Sequence, residues 1–118
     1  MTSKAFECAR YARKLRAPLL RLAETFPEGT TIDQFSVLYA LETEGENIGS
    51  QLDICKLTNI DRSTVADVVK RLHVRGLIDV KTSDVDRRRN HPKINRAGRA
   101  LLNKCLKAEE KFLQSNSL

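Results

Sequence analysis

The stretch from Thr58 to Ile94 constrains the fold most strongly, because it combines a two-faced helix with a basic hairpin. After Asp61, apolar residues recur at steps of three and four and fall within one third of the helix circumference. This apolar face consists of Val65, Val68, Val69 and Leu72. Gly76 follows at a position where a left-handed residue commonly ends a helix. The pattern predicts a helix over residues 61–75 that packs one face on a core.

The opposite face and its flanks carry short hydroxyls, a carboxylate and long cations, which are the groups that hydrogen-bond base edges and phosphates. The candidate DNA-contacting residues of this helix are Arg62, Ser63, Thr64, Asp67, Lys70 and Arg71. Ser63 and Thr64 stand at the helix N-terminus, where the dipole and backbone amides also favour a phosphate. Asp67 either accepts from a cytosine amine or pairs with a neighbouring cation. We favour the pair, since an acid facing phosphates is costly.

A hairpin with a basic tip is predicted after this helix. Leu77–Thr82 has strand composition, and residues 93–95 are expected to return beside it. The polar segment 83–90 between them contains Arg87, Arg88 and Arg89 in succession. Cations at such a tip reach phosphates or a narrow minor groove. Together with a preceding helix over 50–57, these elements predict a winged helix-turn-helix.

Helices are also expected on either side of this unit. Thr31 with Gln34 resembles a capping box, so a helix should begin there and end near Gly45, and Ile48 is expected to add a short strand against the wing. Residues 3–26 and 96–115 read as long helices, and Pro18 predicts a kink or break near Ala17. The fold class is therefore mainly α with a small β-hairpin wing.

The two terminal helices each carry an apolar seam with near-heptad spacing. The seam residues expected at a dimer interface are Cys8, Ala12, Leu15, Leu19, Leu22, Leu101, Cys105 and Phe112. Packing of the first seam on the chain's own core explains the same spacing, and we weigh the two interpretations equally.

The positive charge is concentrated in the proposed DNA-binding half. The 118 residues hold 21 Lys and Arg against 15 Asp and Glu, a net charge of +6. Residues 61–104 contain 12 Lys and Arg and 5 Asp and Glu, a net charge of +7. The rest of the chain contains 9 basic and 10 acidic residues, a net charge of −1. A surface that faces a polyanion needs such an excess.

Several short motifs, taken in order, resemble the MarR family of bacterial transcription regulators. They are residues 31–38 (TIDQFSVL), 61–65 (DRSTV), 70–72 (KRL), 75–78 (RGLI), 86–88 (DRR) and 95–99 (NRAGR). The family usually has Leu-Thr where this chain has Ile94-Asn95, and the chain is shorter than a typical member.

The resemblance implies a division of labour along the chain. Residues 31–95 would form the DNA-binding winged helix-turn-helix, and residues 1–26 and 96–118 the dimerisation helices. In the family's Asp-x-Arg pattern, Asp86 and Arg88 resemble an ion pair that shapes the wing. A small-molecule inducer between the two regions is familiar in the family, although no residue here identifies one. Some members sense peroxide through an N-terminal cysteine, while Cys8 on an apolar seam is more typical of a small hydrophobe.

Other function classes find little support in the sequence. His73 and His91 have no carboxylate and nucleophile arranged near them, so we expect no enzyme. We expect no metal and no cofactor, because there is no phosphate-binding glycine loop and no paired cysteine spacing. No apolar run approaches a membrane span, and Met1–Phe6 lacks the apolar core of a signal peptide, so a cytoplasmic protein is expected.

The sequence thus predicts a homodimeric, sequence-specific regulator that binds double-stranded DNA at a pseudo-palindromic site. Repression is the commoner outcome for such proteins. The alternative is a winged-helix module that binds another regulator without reading DNA. A protein-binding module has no need of three adjacent arginines.

Overall fold

The protein is mainly helical with one antiparallel hairpin, as predicted, in a computed structural model that describes residues 3–82 and 90–116. The elements in chain order are α1 (Lys4–Glu24), α2 (Ile32–Glu44), α3 (Gln51–Thr58), α4 (Arg62–Val74), β1 (Ile78–Thr82), β2 (Asn90–Ile94) and α5 (Arg96–Ser115). Short 3-10 turns at Pro27–Gly29 and Gly45–Asn47 follow α1 and α2.

Side-chain caps set where four of the helices begin, and Ser3 Oγ accepts from the Phe6 backbone amide at 3.3 Å before α1. Thr31 Oγ1 accepts from the Gln34 amide at 3.1 Å before α2, and Asn95 Oδ1 accepts from the Gly98 amide at 2.9 Å before α5. Asp61 caps α4. At α3 the arrangement differs, because the Asp53 carboxylate accepts from the Gly49 amide at 2.8 Å while Ser50 makes no side-chain cap.

The apolar face predicted for α4 forms the centre of the core. Val65 and Leu72 are completely buried, and the other two residues of that face are at most 5% exposed. This face packs against α2, α3 and the hairpin. Val37 and Leu38 of α2 and Ile54 of α3 are likewise inaccessible. The buried face fixes which side of α4 is left for solvent.

The hairpin is longer on its return strand than predicted. β1 and β2 pair antiparallel, with Ile78 opposite Ile94 and Val80 opposite Pro92. Pro92 lies within the return strand, where a two-stranded ribbon leaves each strand a free edge and a residue without an amide is tolerated. The strand expected at Ile48 was wrong: within residues 3–82 and 90–116 the sheet consists of β1 and β2, and Ile48 is a buried residue of a loop.

The first helix departs from expectation at Pro18. α1 runs unbroken from Lys4 to Glu24, so the predicted break near Ala17 was wrong, whereas a kink there stays a prediction. Pro18 removes one amide donor, whose acceptor would be the carbonyl of Lys14. Lys14 is exposed, and solvent can satisfy that carbonyl. The helix therefore tolerates the proline.

The apolar seams divide between the core and the surface. Leu22, Leu101 and Cys105 are buried within the single chain, so the expectation that they form a dimer interface is revised: they have almost no surface to offer. Phe112 is half-buried against the same core, and Leu19 on α1 is also half-buried. The remaining seam residues, Cys8, Ala12 and Leu15, are exposed.

Candidate nucleic-acid interface

The polar face of α4 is the most distinctive surface of the molecule. The structure brings the expected helix residues together on it, with Thr64 half-buried and the others exposed: Arg62, Ser63, Asp67, Lys70 and Arg71. They face outward because the opposite side of the helix is packed in the core. Val74, which is 82% exposed, adds an apolar side chain near the end of the helix.

The N-terminus of α4 is organised by the carboxylate of Asp61. Its Oδ2 accepts from Ser63 Oγ at 2.7 Å and from the Thr64 amide at 3.1 Å, and its Oδ1 accepts from Thr64 Oγ1 at 2.6 Å. These hydrogen bonds, led by that of the Thr64 hydroxyl, lower the pKa of Asp61 from 3.8 to about 2. The carboxylate is ionised at neutral pH. It accepts the Thr64 amide and puts a negative charge at the helix terminus, while the phosphate contact expected there stays a prediction.

Asp67 and Arg71 form an ion pair across one helical turn. Arg71 Nε lies 3.0 Å from Asp67 Oδ2, and both side chains are more than half exposed. Asp67 therefore pairs with a cation, which was the favoured interpretation. An exposed pair contributes little to stability, roughly 0.3–0.5 kcal/mol for this spacing, so its effect is to orient Arg71.

A third arginine of this region has a different role, which sequence reasoning missed. Arg75 Nη1 donates to Gln34 Oε1 at 2.6 Å and to Thr30 Oγ1 at 3.3 Å, and Nη2 lies 3.7 Å from Glu28 Oε2. Thr30 and Gln34 are both buried. Arg75 thus ties the end of α4 to the start of α2. Its place after the helix gave no sign of these partners, which lie more than forty residues away in sequence.

The turn after α4 sets the direction of the hairpin. Gly76 has φ +73°, and Leu77 N donates to Leu72 O at 3.0 Å, which closes the helix as expected for a left-handed glycine. Asn95 Nδ2 donates to Gly76 O at 2.9 Å, so the start of α5 holds this same turn. Helix, hairpin and α5 are joined at one point.

Four of the expected site residues belong to the segment that the sequence predicts as the tip of the wing. Asp86, Arg87, Arg88 and Arg89 lie outside the described residues. The two strands that lead to the tip are described, and they carry exposed Lys81 and Lys93.

An open groove lies between α1 and the start of α2, with a volume of about 700 Å³. Leu19, Leu20, Ala23 and Ile32 give it an apolar lining, and Arg16, Glu24 and Asp33 contribute charges. Across residues 3–82 and 90–116, no three His, Cys, Asp or Glu side chains converge as metal ligands would. None of the helices in that same part of the chain is long and apolar enough to cross a membrane.

Comparison with known proteins points to one family. A sequence profile described as the MarR family matches residues 28–89, more than half of the chain. Over 76 residues the chain is 36% identical to NicR, an HTH-type transcriptional repressor of Pseudomonas putida. That match covers 64% of this chain and 46% of NicR, so the matched region spans about half the length of this relative.

Two solved structures extend the similarity to the whole fold. BpsR of Bordetella bronchiseptica, whose DNA binding is regulated by 6-hydroxynicotinic acid, has a TM-score of 0.78 and 30% identity, covering 98% of this chain and 82% of BpsR. The transcriptional regulator PcaV of Streptomyces coelicolor, solved with its natural ligand, has a TM-score of 0.71 and 31% identity, covering 99% of this chain and 85% of PcaV.

Proposed function

This chain belongs to the MarR family of transcription regulators, and we propose that it acts as a homodimer that reads a pseudo-palindromic DNA site. The observation that carries this proposal is the division of α4 into a buried apolar face and an exposed face of hydroxyls and cations. A 13-residue helix is about 20 Å long at 1.5 Å per residue, which is enough to contact several successive base pairs in a major groove.

The basic residues of the hairpin extend the same surface. Lys81 and Lys93 are exposed on its strands, and the sequence places Arg87, Arg88 and Arg89 at its tip. We place this tip along the minor groove beside the one that holds α4, where the negative potential favours arginine.

The first half of α1 supports the proposal of a second subunit. Phe6 and Tyr11 are each 64% exposed, and Leu15 is 38% exposed. Residues 4–17 contain no buried side chain. A helix of about 14 residues without packing is only marginally stable in water. A second copy that covers this face with its own α1 would supply the missing packing, and the two-fold axis would set half-sites about 10 bp apart.

Repression would follow from occupancy of a promoter, and the similarity to the repressor NicR supports repression as the direction of regulation.

The groove between α1 and α2 is our candidate effector site, because BpsR responds to 6-hydroxynicotinic acid. Its apolar lining suits a small aromatic ring, Arg16 suits a carboxylate, and Glu24 or Asp33 suits a ring hydroxyl. Ligand in this groove would lie against Thr30, which Arg75 connects to α4.

The DNA-reading surface is tested by a matched pair of variants. Lys70→Ala removes a cation from the exposed face of α4, and Lys107→Ala removes one from α5. We expect Lys70→Ala to weaken operator binding and to reduce the slope of log affinity against log salt by about one. Lys107→Ala should leave both unchanged. Equal effects of the two variants would refute the assignment, and an absence of DNA binding by the unmodified protein would favour the protein-interaction alternative.

The subunit interface is tested by placing a charge on the exposed seam. Leu15→Asp should convert the dimer to folded monomers, measured by light scattering and circular dichroism, because a buried carboxylate is costly. Leu57→Asp makes the same change on α3, at a residue that is 49% exposed, and should leave the dimer intact. A dimeric Leu15→Asp protein would place the interface elsewhere.

The effector site is tested by titrating the protein–operator complex with 6-hydroxynicotinic acid. We expect release of DNA, and Arg16→Ala should raise the concentration needed for half release. Release that is unchanged in Arg16→Ala would exclude this groove, and an absence of release would exclude this ligand.

A further inference from the structure

The hydroxyl protons at the start of α4 have a fixed direction. Asp61 is ionised and accepts only, so Ser63 Oγ and Thr64 Oγ1 must each donate to it, at 2.7 and 2.6 Å. A hydroxyl has one proton and two lone pairs. Both hydroxyls have therefore used their only proton within the protein and retain accepting lone pairs.

The two hydroxyls differ in their access to DNA. Ser63 is exposed, whereas Thr64 is half-buried. Ser63 lies on the same helix face as Lys70 and Asp67, which is the face proposed to enter the groove. Of the two, Ser63 is the one placed to contact a base edge.

We infer that Ser63 reads DNA as a hydrogen-bond acceptor and recognises an exocyclic amino group, adenine N6 or cytosine N4, in the major groove. This inference rests on the proposed function of α4. Guanine O6, thymine O4, purine N7 and phosphate oxygens are acceptors and offer no proton to this hydroxyl. The Asp61 carboxylate beside it also repels phosphate. Asp61 acts here as a positioning residue that sets the polarity of Ser63.

The test removes single functional groups from the base. On an operator selected from random DNA, the base pair whose discrimination is lost in Ser63→Ala identifies the contacted position. Replacing adenine there by purine, or cytosine by 2-pyrimidinone, deletes the amino group. Affinity of the unmodified protein should fall roughly five- to tenfold, as for loss of one neutral hydrogen bond. Affinity of Ser63→Ala should not change.

Two further measurements separate this inference from its alternatives. A 7-deaza purine at the same position deletes an acceptor and should have no effect that depends on Ser63. Ser36→Ala removes a hydroxyl that donates to Ile32 O at 2.8 Å on α2, and should retain the full sensitivity to amino-group deletion.

The role of Asp61 is tested by Asp61→Ser, which keeps a favourable N-cap but removes the carboxylate. It should reduce the penalty for deleting the amino group, because the Ser63 hydroxyl can then rotate. An unchanged penalty would show that Asp61 does not set this polarity.

The outcomes also separate this inference from the proposed function. If the unmodified protein selects no DNA sequence, the proposed function fails. If it selects an inverted repeat, two results would refute only the role of Ser63 as an acceptor. One is a loss of affinity on 7-deaza substitution at the position that depends on Ser63. The other is an equal loss of affinity for all DNA sequences in Ser63→Ala.

Discussion

Replacement of Arg75 by methionine should destabilise the fold, whereas the same change at Arg71 should not. The two arginines lie four residues apart. Arg71 is 67% exposed and pairs with an exposed aspartate, whereas Arg75 is 25% exposed and donates to the buried Gln34 and Thr30. Methionine retains much of the apolar stem, so the comparison isolates the guanidinium.

The magnitude follows from the hydrogen bonds that are lost. A hydrogen bond to a charged group contributes about 1.5–3 kcal/mol. The bond to Gln34, at 2.6 Å, is the strong one, and the bond to Thr30 is long at 3.3 Å. The Glu28 contact adds little, since Glu28 is 82% exposed and 3.7 Å away. We therefore expect Arg75→Met to cost about 2–3 kcal/mol, and Arg71→Met less than about 1 kcal/mol.

The assay is urea denaturation at one fixed protein concentration, because a dimer gains apparent stability with concentration. Combining Arg75→Met with Gln34→Leu should cost less than the sum of the two single changes, by about 1 kcal/mol or more. DNA binding should show the reverse order, with Arg71→Met reducing affinity and salt dependence more than Arg75→Met. Equal free energies of unfolding for the two single variants would refute the role given to Arg75.

Three further predictions concern stability and reactivity. Gly98→Ala should destabilise the fold by about 1–3 kcal/mol in the same assay, because the added Cβ would meet the Leu77 carbonyl and lie 2.7 Å from Ile94 Cγ1. Gly45→Ala should be near neutral, because an added Cβ there has no atom within 4 Å. Similar losses of stability in the two variants would contradict the close approach at Gly98. Since the pKa of Asp61 falls from 3.8 to about 2 on folding, the stability that this carboxylate contributes should be present above pH 4 and lost as the pH falls from 4 towards 2. Asp61→Asn should therefore flatten the dependence of the unfolding free energy on pH in that range only. Parallel pH curves for the variant and the unmodified protein would refute this cause. Cys105 is completely buried, and burial raises the pKa of its thiol despite the opposing charge of Arg75. Mass mapping should therefore find Cys105 alkylated by iodoacetamide only after urea is added. Labelling of Cys105 in the folded protein would contradict its position.

Local patterns predicted the helices and the cap before α2 well. The buried face of α4, the cap before α2 and the glycine after α4 each depend on residues within a few positions of one another, or on a regular spacing along one helix. Contacts between such near neighbours depend little on the tertiary structure, so a sequence pattern is enough to predict them. Pro18 led to the expectation of a kink or break, but the helix continues through it, and the carbonyl of the exposed Lys14 that loses its amide partner has access to solvent.

The sequence predicted which residues lie on the exposed face of α4, but not the hydrogen bonds that join this region to the rest of the chain. The residues on the exposed face of α4 follow from helical periodicity, whereas the partners of Arg75 lie on elements distant in sequence. The apolar seams had the same limitation. Three- and four-residue spacing is shared by a helix that packs on its own chain and one that packs on a partner, so the burial of Leu22, Leu101 and Cys105 required the tertiary structure.

Selection from a random-sequence DNA pool at moderate salt tests most directly whether this protein reads a DNA sequence. We expect enrichment of an inverted repeat with half-sites about one helical turn apart. That enrichment should weaken when the face of α4 is altered at Lys70. Binding without enrichment would contradict sequence reading and indicate a protein held by phosphates alone. An absence of binding would contradict the DNA-reading role itself.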